Sequence, residues 1–99
     1  MDLRRSSPTF GKWAGVELSD QNRRLFWVPP GFGHGFYVLS DKAEFVYKCT
    51  DYYAPEHEQV IRFDDPEIGI EWPFSAGVET VLSDKDRAGA SFAEADLFD

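Results

Sequence analysis

Turn signals interrupt this chain too often for it to build helices. Ser6-Ser7-Pro8-Thr9, Ser19-Asp20-Gln21-Asn22, Pro29-Pro30-Gly31, Ser40-Asp41-Lys42 and Asp64-Asp65-Pro66 mark turns, and Asp51 and Pro55 mark another. The proline pair at 29–30 has no backbone donors and stops any ladder that reaches it. Between the turns lie short apolar or alternating stretches: residues 12–18 (KWAGVEL), 24–28 (RLFWV), 34–40 (HGFYVLS), 43–50 (AEFVYKCT), 59–63 (QVIRF) and 68–72. Short strands with turn signals roughly every eight to twelve residues predict an all-β sandwich or barrel. No stretch predicts a helix long enough to cover a sheet face. Ninety-nine residues make one domain rather than two. A chain of this size buries roughly 65% of its unfolded surface, enough for a modest core.

The stretch 43–55, AEFVYKCTDYYAP, organises the rest. Ala43, Phe45, Tyr47 and Cys49 alternate with Glu44, Val46, Lys48 and Thr50. Successive strand side chains point to opposite faces, so the first set shares one face. That face is apolar except for the phenol of Tyr47, which is expected to point into an enclosed space and need a partner. Pattern alone also accommodates an ordinary core tyrosine. Residues 34–39 and 43–50 are expected to form an antiparallel hairpin. His34, Phe36 and Val38 would then lie on the inner face with Tyr47. Val16 and Leu18 are expected to face the core. Residues 2–4 read as the tail of a strand, with no preceding stretch to cap or pair it.

Ten basic against eighteen acidic residues give a formal net charge of −8. That balance repels a nucleic-acid duplex or an anionic membrane. Arg4, Arg5, Arg23 and Arg24 lie in the first quarter, so an anionic small molecule could still find a local basic site. Cys49 is the only cysteine and can form no intrachain disulfide, which fits a reducing compartment. With no stretch of transmembrane length and no leader pattern, the expected location is cytoplasmic.

Few chemistries fit these residues. No serine or cysteine has a histidine in a recognisable nucleophile motif. His34 and His57 form no paired metal motif, so neither metal nor cofactor is expected. Gly31 to Gly35 surround His34 with three glycines, but lack the Lys-Ser/Thr pair and the strand-to-helix setting of a phosphate loop. Proton transfer by Tyr47, with His34 or an aspartate, remains, as does stacking of Tyr52 or Tyr53 on a flat ring. Ser83-Asp84-Lys85-Asp86 and Ser91-Phe92-Ala93-Glu94 have helix-capping spacing and predict short helical turns in the tail.

The segments SPTFGKWAGVELS, RRLFWVPPGFGHGFYVLSDKAEFVYKCTDYYAPEHE, DDPEIGIEWP and LSDKD, in that order, resemble the dTDP-4-dehydrorhamnose 3,5-epimerase family. The resemblance implies a cupin-type β-jelly roll, a homodimer and a metal-independent reaction. The implied substrate is dTDP-4-dehydro-6-deoxy-D-glucose, inverted at C3 and C5 on the way to dTDP-L-rhamnose. It also implies roles. Tyr47 matches the family's tyrosine acid. Asp86 matches the aspartate that orients the catalytic histidine. His34 is expected to contact substrate, Tyr53 to stack on thymine, and Glu58 and Lys85 to contact substrate. On pattern alone, Asp86 is equally an ordinary helix-start acid and Glu58 an exposed loop acid.

One family element is missing. The family's base is a histidine in an L-R-G-L-H-F-Q motif upstream of S-P-T-F-G. Neither that motif nor the basic G-K-L-V-R strand after it occurs here, and His34 and His57 both follow S-P-T-F-G. A tyrosine, whose phenol ordinarily titrates near ~10, serves as an acid but is a poor base at neutral pH. The expectation is a single partial jelly-roll domain over residues 1–99, resembling the C-terminal half of the epimerase and catalytically incomplete by itself. Its unpaired strand edges should pair with a second copy or a complementing chain. The alternatives are a non-catalytic remnant that oligomerises or binds a sugar nucleotide, and one half of a split epimerase.

Overall fold

In the computed structural model, which describes residues 1–99 throughout, backbone pairings at a rim hold the chain together, not sheets. Residues 1–4 are extended, and two other segments close on them. Asp2 bridges Phe32 in antiparallel fashion, and Arg4 bridges Phe98 in parallel. Leu3 N–H donates to Gly31 O at 3.0 Å and Gly33 N–H to Met1 O at 2.9 Å. Arg5 N–H donates to Phe98 O at 2.8 Å. Residues 2–4 are therefore paired by segments that follow them, the Gly31–Gly33 loop and the C-terminal tail.

The glycine at 31 is required by this contact. Its φ is +89°, and an added Cβ would lie 2.7 Å from Arg4 Cγ. Arg4 cannot move aside easily, because its guanidinium donates to Asp2 and lies 4.7 Å from the Phe32 ring centre. Asp2 is only 2% exposed. Its carboxylate accepts from Arg4, Ser7 and Thr9 side chains and from the Arg4 backbone. The Arg4 guanidinium, followed by the two hydroxyls, holds this carboxyl well below the usual carboxylate range, against the opposing effect of burial.

A second buried carboxylate fixes the other end of the rim. Asp65, 5% exposed, accepts from Phe92 N–H and Glu67 N–H, each at 2.8 Å. The Phe92 amide is the largest cause that lowers its pKa, with Glu67 and Ile68 adding to it. The Asp64-Asp65-Pro66 turn is thus pinned to the tail. The small apolar core, Leu3, Ile68 and Ala95, sits among these ties. Phe74 gathers Tyr37, Phe63 and Trp72 around it, with ring centres 5.0, 6.1 and 6.3 Å away.

Regular helix is confined to a 3₁₀ turn, Pro55–His57, and one short helix, α1, Asp84–Arg87. As the capping spacing predicts, Ser83 Oγ accepts from Asp86 N–H at 3.2 Å. Ser91 donates to the Glu94 carboxylate at 2.9 Å, but that segment stops at a turn.

The predicted strands are extended but unpaired. No backbone–backbone hydrogen bond involves residues 34–53, so the expected hairpin has no ladder. Its side-chain register survives: Phe36 stacks on Phe45 at 4.4 Å, and Phe45 meets Tyr47 at 5.3 Å. Val16 and Leu18, expected in the core, are exposed. The chain makes 24 backbone–backbone bonds where a domain of this length ordinarily makes about 65. Its accessible surface is 8801 Å², against about 5,700 Å² for a folded monomer of this mass. Its radius of gyration is 14.4 Å against about 13 Å. The jelly roll expected from the sequence is thus not closed by these residues alone: their extended segments lack neighbours on which to form ladders.

Candidate functional site

Two groups of candidate residues lie on this framework. The first is an aromatic strip. Alternation along 43–50 puts Phe45 and Tyr47 on one face, and Phe36 joins them from the neighbouring segment. Tyr47 was expected to point into an enclosed space. It is instead 66% exposed, and no partner binds its hydroxyl. The wall that would enclose it is not supplied by residues 1–99. His34 is exposed at the start of the same extended run, just beyond the Gly31–Gly33 contact with residues 1–3.

The second group gathers on the tail side. Lys85 Nζ donates to Glu58 Oε2 at 2.8 Å, joining residues 27 apart in sequence. This hydrogen bond raises the Lys85 pKa, and the nearby Tyr53 phenol adds to the effect. Glu58 and Lys85 are therefore brought together, with Tyr53 near enough to act on Lys85 through its charge. Both members of the ion pair are exposed, and solvent screens such pairs so that they add little to stability. The fold does not depend on this pair. Tyr53 is 77% exposed, so its ring is free to stack on a flat ligand.

Asp86 follows Lys85 on α1, with its backbone N–H capped by Ser83 and its carboxylate exposed and unpartnered. A cleft of about 440 Å³ opens beside this group, lined by Pro55, Glu58, Gln59, Lys85, Ala88 and Asp96 among others. No three His, Cys, Asp or Glu side chains converge as a metal would require. No helix is long and apolar enough to cross a membrane.

Sequence reasoning missed two residues that build this region. Asp65 read as a turn residue, yet it is a buried acceptor for the tail. Gly89 drew no notice, yet an added Cβ there would lie 3.0 Å from Arg62 N and 3.1 Å from Ile61 C. A glycine just after a short helix was its only signal.

Comparison with known proteins places these residues in a wider setting. The family model for dTDP-4-dehydrorhamnose 3,5-epimerase matches residues 1–94. The epimerase of that name from Pseudomonas aeruginosa is 56% identical over 98 residues, which are 99% of this chain and 53% of the relative. The one from Neisseria gonorrhoeae is 58% identical over 96 residues, 97% of this chain and 29% of the relative. A crystal structure of dTDP-6-deoxy-D-glucose-3,5-epimerase from Legionella pneumophila, in complex with dTDP-4-keto-L-rhamnose, matches with a TM-score of 0.88 and 54% identity. That match covers 96% of this chain and 50% of the Legionella chain. The chain spans about half the length of most of the curated relatives it matches.

Proposed function

The chain belongs to the dTDP-4-dehydrorhamnose 3,5-epimerase family, and from that premise we propose that its 99 residues form the proton-donor and nucleotide-binding side of a sugar-nucleotide 3,5-epimerase. The substrate in this reading is dTDP-4-dehydro-6-deoxy-D-glucose. Its C4 ketone acidifies the protons on C3 and C5, because the anion left behind is an enolate. A base removes a proton from one face, and Tyr47 returns one from the other. Tyr53 stacks on the thymine, and His34, Glu58 and Lys85 hold the sugar nucleotide. Asp86 orients the histidine base.

That histidine must come from outside these 99 residues. The extended segments then become strands of a cupin-type jelly roll completed by further polypeptide. The observation that carries this reading is the Lys85–Glu58 ion pair on the wall of a cleft, a pair too exposed to matter for stability. The unpartnered Asp86 and the solvent-facing Tyr47 fit a site whose other wall is supplied separately. A cytoplasmic setting goes with a nucleotide-sugar substrate.

The experiment is deuterium wash-in at C3 and C5. The chain is incubated with the keto sugar in D2O, alone and with a polypeptide carrying the L-R-G-L-H-F-Q motif. Alone, it should exchange at least about 10²–10⁴-fold more slowly than a full epimerase, because the general base is absent. The complementing polypeptide should restore exchange. Full-rate exchange by the chain alone would refute the reading.

A second reading is favoured by the surface. The chain exposes about 3,000 Å² more than a self-contained fold of its mass, an area in the range of obligate interfaces. In this reading it is an oligomerising, nucleotide-binding module without turnover. Binding of dTDP, with no exchange after complementation, would select it.

A further inference from the structure

Near the Lys85–Glu58 pair, two segments run close enough that a side chain between them would be tightly crowded. Arg62 N–H donates to Ala90 O, and Ala90 N–H to Val60 O, both at 2.9 Å. These bonds make the parallel bridge between Ile61 and Ala90. Gly89 sits against this bridge. A Cβ there would lie 3.0 Å from Arg62 N, 3.1 Å from Ile61 C and 3.2 Å from Val60 Cγ1. Two of these atoms belong to backbone already held by hydrogen bonds, so they cannot turn away as a side-chain tip could. Upstream, Gly89 N–H reaches Asp86 O at 3.4 Å, which ties it to the end of α1. Downstream, Phe92 N–H is held by the Asp65 carboxylate at 2.8 Å. The segment 85–92 is therefore fixed at its far end and pinched in its middle.

We propose that Gly89 is the positioning residue of the nucleotide-sugar site. Its missing side chain lets 85–92 close on 58–62, and that closure sets the Lys85 ammonium on the Glu58 carboxylate beside Tyr53. Adding a side chain lifts α1 away from residue 58. The ties among residues 1–12, 31–33 and 98 make none of these contacts and stay as they are. The ligand consequence rests on the reading that Glu58 and Lys85 contact the sugar nucleotide. The geometric consequence does not.

The test uses the full chain with Gly89→Val and Gly89→Ala, and two readouts. The first is titration of Lys85 by carbon-labelled NMR at Cε, without ligand. In Gly89→Val its midpoint should fall back toward that of an ordinary lysine, while the amide resonances of Leu3, Gly33 and Phe98 hold their positions. Gly89→Ala, which asks its neighbours to give by only a few tenths of an ångström, should fall between. It serves alone if the valine variant does not fold.

The second readout is dTDP affinity by calorimetry for the unaltered chain, Gly89→Val, Lys85→Met and the double variant. Each single change should weaken binding about tenfold, the size of one lost charge-assisted hydrogen bond. The double variant should be no weaker than either single one. A purely structural role for Gly89 would instead make the losses add. An unmoved Lys85 titration in a folded Gly89 variant overturns the proposal, whatever dTDP does. A shifted titration in a chain that does not bind dTDP upholds the positioning role and overturns the nucleotide reading instead.

Discussion

The rim and the open face of this chain are built from opposite materials. At the rim, two buried carboxylates collect every donor around them, and backbone pairs with backbone. On the face formed by residues 34–53, most side chains are exposed, Phe36, Phe45 and Tyr47 among them, and no backbone group pairs with another. The proposed proton donor and stacking ring, Tyr47 and Tyr53, belong to that stretch, while Lys85 and Asp86 sit on α1. Burial and hydrogen bonding thus hold the part with no chemistry, and the part assigned chemistry is left open. A site between two walls has this form when only one wall is present.

Tyr47 separates the two regions most sharply. In the complemented assembly, Tyr47→Phe should lower turnover by about 10²–10⁴-fold and leave dTDP affinity unchanged, as loss of a general acid requires. In the chain alone the same change should leave the thermal unfolding curve where it was, because Tyr47 is two-thirds exposed and its hydroxyl holds no hydrogen bond. Gly31→Ala should do the reverse. A left-handed φ and a contact with a guanidinium-anchored Arg4 should cost about 1–3 kcal/mol, read as a lowered Tm.

Acid separates the two regions by charge. Asp2 and Asp65 have pKa values below those of the unfolded chain, so their contribution is full above the ordinary carboxylate range. It is lost only as pH falls through the depressed folded values. Rim stability, followed by circular dichroism, should therefore persist down to pH ~4 and collapse in stronger acid. Asp65→Asn should make it nearly flat in that window for its share. Lys85 has the opposite sign. Its raised pKa means that the ion pair persists below the ordinary lysine value and is lost as pH rises past the folded one. The smallest effect belongs to Leu25→Ala. Leu25 is 98% exposed, so unfolding of the chain alone should change by no more than about 0.5 kcal/mol. In a completed assembly that buries it, the same change should cost about 2 kcal/mol or more.

Much of this was legible in the sequence, and the division follows the same line. Local rules found the Ser83 cap of α1 and the shared face of Phe36, Phe45 and Tyr47, because capping and alternation act within a few residues. The motifs around Tyr47, Glu58 and Lys85 carried the family. Alternation could not reveal what lies opposite a face, so Tyr47, Val16 and Leu18 were expected to be covered and are not. Nor could it show that residues 2–4 pair with Gly31–Gly33 and with Phe98. Those contacts join positions about 30 and more than 90 residues apart, and only the folded backbone brings them together. Asp65 and Gly89 stayed hidden for the same reason.

Amide hydrogen exchange on the dilute chain tests the division most directly. Residues 34–50 should exchange at close to unprotected rates, and Leu3, Gly33, Arg62, Ala90 and Phe98 more slowly by about 10²-fold or more. Adding the histidine-bearing polypeptide should protect 34–50. Equal protection of both regions in the chain alone would contradict the account, because the face would then be closed without a second wall.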